Sequence, residues 1–455
     1  MTETICAIST PPGVGGIAVA RVSGPDAFSV VQKIWKGKAL EQCQSHTAHL
    51  GTILDTTGNP LDQALITLYR TPRSFTGENT VEISVHGSQY VQRELLNTLI
   101  NAGARLAEPG EFTRRAYLSG NLGLTEAEAV ADIIASTSRA AHAIAMKQMR
   151  GAVTHKLQEL HDRLLELASL LELELDFSEE DVEFASREKL TTLAHEIQAE
   201  VNRLHRSFAS GNAIKNGIPV AIVGPTNAGK SSLLNTLVGD QKAIVSDIHG
   251  TTRDVIEDTC EIGDYLFRFM DTAGLRETTD QIETIGISRS LQAIEKATII
   301  IHLLDITAPF DTEQLTHIAG TLTDGQHLIV ALNKTDLSSP DAFIARLTAQ
   351  LPSRTTIIPI SVHTGEGIDS LTHTLTTLVE PRSEQVTITN ARHAQALQHA
   401  SHSIARVIDS LHNNLSGDLI ALDIRDTLQH LSAITATITS EEILHTIFSR
   451  FCIGK

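Results

Sequence analysis

The spacing of apolar positions changes several times along this chain. Up to about Leu118, short β-branched runs at Gly16 to Val22, Ala64 to Tyr69 and Thr80 to Val85 alternate with Gly/Pro turns and two modest helical stretches, which predicts an α+β domain. From Thr125 the pattern becomes long and amphipathic. Leu157, Leu160, Leu164, Leu165, Leu167 and Leu171 recur at helical spacing, and helices are expected, with breaks, to about Ala209. Ser210-Gly211-Asn212 then reads as a linker. Beyond it lie strand-length apolar runs, Ile218 to Val223, Tyr265 to Met270 and Leu328 to Leu332, and a closing helix Ile368 to Val379 before Glu380-Pro381. The rest is helical again, and Leu419, Leu422, Leu428 and Leu431 form an apolar stripe with no domain-sized core of its own. Since the ends of a compact domain often lie close together, the middle segment reads as an insertion into one helical body.

The first of those apolar runs leads into chemistry. Gly224 to Ser231 read G-P-T-N-A-G-K-S, with a strand before and helical Ser232-Leu233-Leu234-Asn235 after. Gly224 and Gly229 let the backbone curl so that successive N–H groups face phosphate oxygens, and the helix start adds its positive end. Lys230 would neutralise the β- and γ-phosphates and the Ser231 hydroxyl would ligate Mg²⁺. Asn333-Lys334-Thr335-Asp336 ends the run Leu328 to Leu332, and a carboxylate there can accept both N–H groups of a guanine edge, a pair adenine lacks. Between the two, Asp271-Thr272-Ala273-Gly274 puts Asp271 near the metal's outer shell and the Gly274 N–H near the γ-phosphate. Gly250-Thr251-Thr252-Arg253 offers Thr252 as a second protein ligand of Mg²⁺, and both segments are expected to order around GTP.

One position departs from Ras-like switches, which carry a water-orienting glutamine just after D-x-x-G; here it is Leu275. Glu277, Asp280 and Glu283 are all near enough to take its place, and spacing does not choose among them. A cation is also needed where charge builds between the phosphates. Arg253, Arg276 or a metal ion held by the Asn227 carbonyl oxygen could supply it, while a loop-bracing Asn227 is an equal alternative.

Bulk properties narrow the partners. At 455 residues the chain is expected to hold two to four domains, and a formal charge of −18 argues against a broad nucleic-acid-binding surface. Cys6, Cys43, Cys260 and Cys452 show no C-x-x-C spacing, so neither a zinc site nor a disulfide framework is indicated and a reducing cytoplasmic compartment is expected. The N-terminus has no basic-plus-apolar signal, and Thr298 to Leu304 is too short to span a bilayer. The acidic run Glu172 to Glu183 fits a calcium loop poorly and reads as a solvated face or a partner contact.

Taken together, the residues resemble one family over the full chain: the tRNA wobble-uridine modification GTPases called MnmE or TrmE. The resemblance rests on P-P-G-V-G-G-I-A-V-A-R-V-S-G near the start, S-F-T-G-E-N-T, P-G-E-F-T-R-R-A-Y-L-S-G, the central D-T-A-G-L-R-E and the terminal F-C-I-G-K. It implies an N-terminal α+β folate-binding domain (1–118) that also dimerises, and a helical domain (119–214 and 381–455) split by an inserted Ras-like P-loop GTPase domain (215–380). It further implies a homodimer and a partner, the FAD-dependent protein MnmG, in a heterotetramer or larger complex. The pair would add aminomethyl or carboxymethylaminomethyl groups to the wobble uridine of certain tRNAs from a 5-formyl- or 5,10-methylene-tetrahydrofolate carbon.

The resemblance also implies residue roles. K⁺ is expected at Asn227 with oxygens of Ser246, Ile248 and Thr251, in place of an arginine finger, and Glu283 becomes the water-positioning acid. The GTP contacts become Asn227, Ala228, Gly229, Lys230, Ser231, Ser232, Ser246, Asp247, Ile248, Thr251, Thr252, Asp271 to Gly274, Asn333, Lys334 and Asp336. Folate contacts carry over to Arg21, Glu78 and Lys455, and to Asn121, where the family usually has Lys. Cys452 sits beside that tail, where a thiol could attack an iminium carbon, but no base is identifiable near it and a packing role is favoured. Two other classes compete: a ribosome-assembly or RNA-folding GTPase, and a folate-dependent one-carbon transferase regulated by its G domain.

Overall fold

The structure is a computed structural model describing residues 3–176, 187–239, 258–270, 292–309, 312–323, 325–352, 355–379, 386–435, 441–449, 451 and 454. Contacts divide it into two units. One comprises 1–131, 148–158 and 429–455, and the other comprises 132–147 and 159–428.

The first unit is built on a seven-stranded sheet in the order β3-β4-β5-β6-β2-β1-β7. Its strands are β1 (Ile5–Ile8), β2 (Gly15–Ser23), β3 (Trp35–Lys36), β4 (Thr47–Leu54), β5 (Pro60–Tyr69), β6 (Thr80–Gly87) and β7 (Arg105–Leu106). All neighbouring pairs are antiparallel except β1 with β7. Period-two burial puts Ala18, Ala20, Val22, Ile66, Leu68, Val81 and Ile83 on one face. There they pack with Phe28, Val31 and Ile34 of the helix Ala27–Ile34 and with Leu95 and Leu99 of the helix Gln89–Asn101. A third helix, Glu111–Leu118, sets Phe112 against Ile5 and Ala7. The C-terminal tail returns to this unit: Ser9 Oγ donates to the Gly454 carbonyl at 3.1 Å, and a Cβ on Gly454 would lie 2.2 Å from the Ile8 carbonyl oxygen.

In the second unit, six strands run in the order β13-β12-β11-β8-β10-β9. They are β8 (Ile218–Val223), β9 (Asp258–Ile262), β10 (Tyr265–Phe269), β11 (Ile299–Asp305), β12 (His327–Asn333) and β13 (Thr356–Pro359). All pair in parallel except β9 with β10. One face buries Ile222, Leu233, Phe267, Ile301, Leu371 and Leu375, and the other buries Val223, Ile300, Leu304, Leu315 and Val330. A parallel sheet covered on both faces is what near-continuous apolar strands require. The helices before and after this sheet in the sequence, Arg187–Asn216 and Ala391–His412, pack on each other, so the sheet domain is inserted within a helical one.

Two sequence expectations fail locally. Ser210-Gly211-Asn212 is not a linker, because the helix Arg187–Asn216 continues through it. Gly211 serves close packing instead: a Cβ there would meet the Ile388 carbonyl oxygen at 2.2 Å, so the returning chain crosses the helix at the one residue without a side chain. In the helix Gly417–Thr435 the inward stripe is Ile420, Ile424, Thr427, Leu431 and Ile434. Of the apolar stripe expected there, Leu431 is buried, but Leu419 and Leu422 are 50% and 60% exposed, because the 4-3-4-3 spacing that reaches Leu431 runs through Ile420 and Ile424.

Candidate functional site

The phosphate loop joins β8 to the helix Lys230–Gly239, at the carboxyl end of the sheet where ligands of open α/β sheets bind. Its two glycines have separate reasons. Gly224 has φ +138°, and a Cβ there would stand 2.2 Å from the Leu303 carbonyl oxygen of β11. Gly229 has φ +100°, and its Cβ would stand 2.5 Å from the Asn333 Nδ2. No other residue fits either place. Asn227 adopts a left-handed φ of 62° and is exposed. Ala228 is buried, and Ser231 and Ser232 fall in the first turn of the helix. Lys230 Nζ donates to the carbonyls of Gly224 at 2.8 Å and Pro225 at 2.7 Å, and burial lowers its pKa.

Asn333, the last residue of β12, ties the two motifs together. Its Nδ2 donates to the Ala228 carbonyl at 2.8 Å, and its Oδ1 accepts from the Val362 N–H at 3.1 Å. Bracing of the phosphate loop thus falls to Asn333. Asp336 Oδ1 accepts from Ser361 Oγ at 2.6 Å, and this bond is the main cause holding the Asp336 carboxyl below its ordinary pKa. The exposed Asp336 is therefore an ionised acceptor throughout the neutral range. Lys334, with φ 69°, reaches back to Asp305 at the end of β11, Nζ to Oδ2 at 2.6 Å. Burial alone would raise the Asp305 carboxyl, but Lys334 and Thr307 outweigh it and keep it low.

Sequence reading missed Ser361, Val362 and Asp305. Ser361-Val362 lies just beyond β13, with one residue between it and the strand's end at Pro359, a position that could have marked it. Ser246, Asp247, Ile248, Thr251, Thr252, Asp271, Thr272, Ala273, Gly274 and Glu283 lie outside the described residues, as do Arg253, Arg276, Cys452 and Lys455.

In the first unit, Arg21, Glu78 and Asn121 gather around the loop Ser74 to Asn79. Arg21 is paired with Glu82 through Nε at 3.0 Å and Nη2 at 2.8 Å, with its guanidinium 5.3 Å from the Phe75 ring centroid and 5.6 Å from that of Phe112. Glu78 accepts from Ser23 Oγ at 2.8 Å and from Arg115 Nη1 at 3.0 and 3.2 Å. Asn121 Nδ2 donates to the carbonyls of Ser74 and Phe75 at 3.0 and 3.3 Å, so it braces this loop. Behind Arg115 stands the buried Glu111, bonded by Arg115 and Arg105. Burial would raise that carboxyl, but the two arginines and the Glu108 N–H bring it down to about 2. Arg115 and Glu111 lie in the stretch P-G-E-F-T-R-R-A-Y-L-S-G, whose pattern alone assigns them no role.

The MnmE helical domain matches residues 124–452, and the GTP-binding protein TrmE N-terminus matches residues 4–121. A tRNA modification GTPase MnmE of Parabacteroides distasonis is 48% identical over 100% of both chains. The chain belongs to the tRNA modification GTPase MnmE family. A second member, from Porphyromonas gingivalis, is 49% identical and covers 100% of this chain and 98% of its own. Among solved structures, the G domain of the T. maritima FeoB iron transporter is similar over 36% of this chain and 99% of its own, at 22% identity and a TM-score of 0.26. Among the described residues no helix is long and apolar enough to cross a membrane.

Proposed function

We propose that this chain is a K⁺-dependent GTPase which, with the FAD-dependent MnmG, places aminomethyl or carboxymethylaminomethyl groups on the wobble uridine of certain tRNAs, using a folate-borne carbon. The observation that carries this reading is full-length identity of 48% to a tRNA modification GTPase MnmE, in a chain whose phosphate loop and base-reading turn are tied by Asn333. GTP is the substrate. Mg²⁺ would be held by Ser231 and Thr252, whose hydroxyls are the hard oxygen donors it takes.

K⁺ would sit at Asn227, Ser246, Ile248 and Thr251, and would supply positive charge between the β- and γ-phosphates. The exposed Asn227 side chain supports this, since Asn333 already braces the loop. Glu283 is proposed to orient the attacking water. Replacing K⁺ by Na⁺ is then expected to slow GTP turnover about a hundredfold, the lower end of what losing one electrostatic stabiliser costs. Equal rates in the two salts would return the role to an arginine such as Arg253 or Arg276.

For the folate, a cation over an exposed aromatic ring suits a flat heterocycle, and Glu78 can accept from its N–H groups. Lys455, outside the described residues, is proposed as a further folate contact. Homodimerisation through the first domain is supported by its uncovered apolar side chains, Val14 at 85%, Ile17 at 69% and Leu50 at 66% exposure, the last paired across strands with exposed Leu65. The domain limits 1–118, 119–214 with 381–455, and 215–380 belong to the same proposal. Mass spectrometry of tRNA wobble nucleosides from cells lacking this protein tests it: both modified uridines are expected to vanish. An unchanged nucleoside profile would favour the ribosome-assembly alternative.

A further inference from the structure

The strand ends around the nucleotide site hold one carboxylate whose two oxygens are committed to different tasks. Asp305 and Asn333 are the last paired residues of β11 and β12. Asp305 Oδ1 accepts from the Thr307 N–H at 2.9 Å and from Thr307 Oγ1 at 2.6 Å, which fixes the carboxylate to its own turn. Oδ2 receives Lys334 Nζ at 2.6 Å. The Asp305 side chain is only 14% exposed.

Lys334 occupies a backbone conformation disfavoured for a residue with a side chain, at φ 69°. It lies between Asn333, which braces Ala228, and Asp336, whose carboxylate is anchored by Ser361. Its backbone follows the end of β12 and its ammonium is paired at the end of β11, so its four-carbon stem runs between two fixed points within the turn read as seating the base. A lysine stem held in this way is an apolar rail, and its loss of rotamer freedom is already met before any ligand arrives.

We infer that Asp305 is a positioning residue for guanine-nucleotide affinity, acting through Lys334 by holding its stem as one wall of the base seat. The inference rests on the guanine reading of Asn333-Lys334-Thr335-Asp336. Both Asp305 oxygens are spent on Thr307 and Lys334, so it is expected to affect how tightly the base is held and not how fast bound GTP is cleaved.

The test uses full-length protein and calorimetric titration with GDP and GTP, together with steady-state turnover. Asp305→Asn keeps the shape and removes the charge that grips Lys334. It is expected to raise Kd for both nucleotides about tenfold, the scale of one charge-assisted hydrogen bond, and KM with it, leaving kcat at saturating GTP within about twofold. Lys334→Met is expected to weaken binding similarly, and the double variant to be no worse than either single one, because both remove the same clamp. Thr307→Val, which loosens only the other side of the bracket, should move Kd in the same direction by about two- to threefold and keeps the idea testable if Asp305→Asn folds poorly. Unchanged Kd in Asp305→Asn, or effects that multiply in the double variant, would overturn the inference. The guanine reading has its own control, the base preference of Asp336→Asn. If that preference does not move, the reading fails; if it moves while Asp305→Asn is silent, only the positioning role falls.

Discussion

Asp336→Asn is expected to cost GTP affinity about a hundredfold or more while creating affinity for xanthosine triphosphate that the native protein lacks. Guanine presents two N–H donors on one edge, at the ring nitrogen and the exocyclic amine, and the ionised Asp336 can accept both. An asparagine turns one of the two acceptors into a donor, which then faces the guanine amine with like polarity. Xanthine carries a carbonyl oxygen in place of that amine and restores the match. Sites built to hydrogen-bond a group discriminate strongly against analogues of the wrong polarity, because the mismatched group is left unpaired. Ser361 Oγ, now 2.6 Å from Asp336 Oδ1, can donate equally to an amide oxygen, so the variant side chain should stay in place. Titration with both triphosphates checks the exchange; a loss of GTP affinity with no gain for the xanthine nucleotide would mean that Asp336 does not read the base. The same geometry sets the pH response. The Asp336 carboxyl is held below its ordinary pKa, chiefly by Ser361, so guanine recognition should be flat through the neutral range and weaken only on the acid side, as the acceptor is protonated.

Much of the scaffold around this site is legible in the chain, because strand length and apolar continuity are local. Ile218 to Val223 is a strand to the residue, and the run Leu328 to Leu332 lies within β12. What the sequence does not display is anything set by two segments meeting. Val362 finds the Asn333 side chain across 29 residues, and Asp305 finds Lys334 only because β11 and β12 end in register. Neither leaves a periodic trace. Gly211 misled for a related reason. Glycine lowers helix propensity locally, so a Ser-Gly-Asn cluster reads as a break, but burial of Val201, Leu204 and Ile214 along the same helix outweighs about 1 kcal/mol of propensity. The Leu419 and Leu422 error is one of phase: a leucine count along a helix does not say which neighbouring face turns inward, and Ile420 and Ile424 do. Around the first-domain loop, Arg21, Glu78 and Asn121 do share one neighbourhood, yet the arginine that holds Glu78, Arg115, acquires that role only when the helix Glu111–Leu118 is laid beside the sheet.

The other large effect expected is at Lys230. Lys230→Ala should leave the fold nearly intact and lower kcat/KM for GTP about 10²- to 10³-fold, about 3–4 kcal/mol of transition-state stabilisation. Its ammonium is already gathered by the Gly224 and Pro225 carbonyls at 2.8 and 2.7 Å, over a loop whose curvature is fixed by two positive-φ glycines, so the charge is placed before phosphate binds. A preorganised cation of this kind needs no rearrangement as negative charge develops, which is why its removal should affect turnover far more than folding. Removing it also relieves the burial that disfavours its charged form, so the melting transition should shift by no more than about 1 kcal/mol of stability, since the two carbonyls can turn to water. Gly229→Val separates charge from shape. Its Cβ would enter the space of Asn333 Nδ2, breaking the brace between the phosphate loop and β12, and it should lose nucleotide binding and stability together. Steady-state kinetics beside thermal melts of the two variants distinguish the cases. If Lys230→Ala unfolded the domain as Gly229→Val is expected to, the lysine would be a structural clamp on its own loop and the phosphate role would have to pass to another cation.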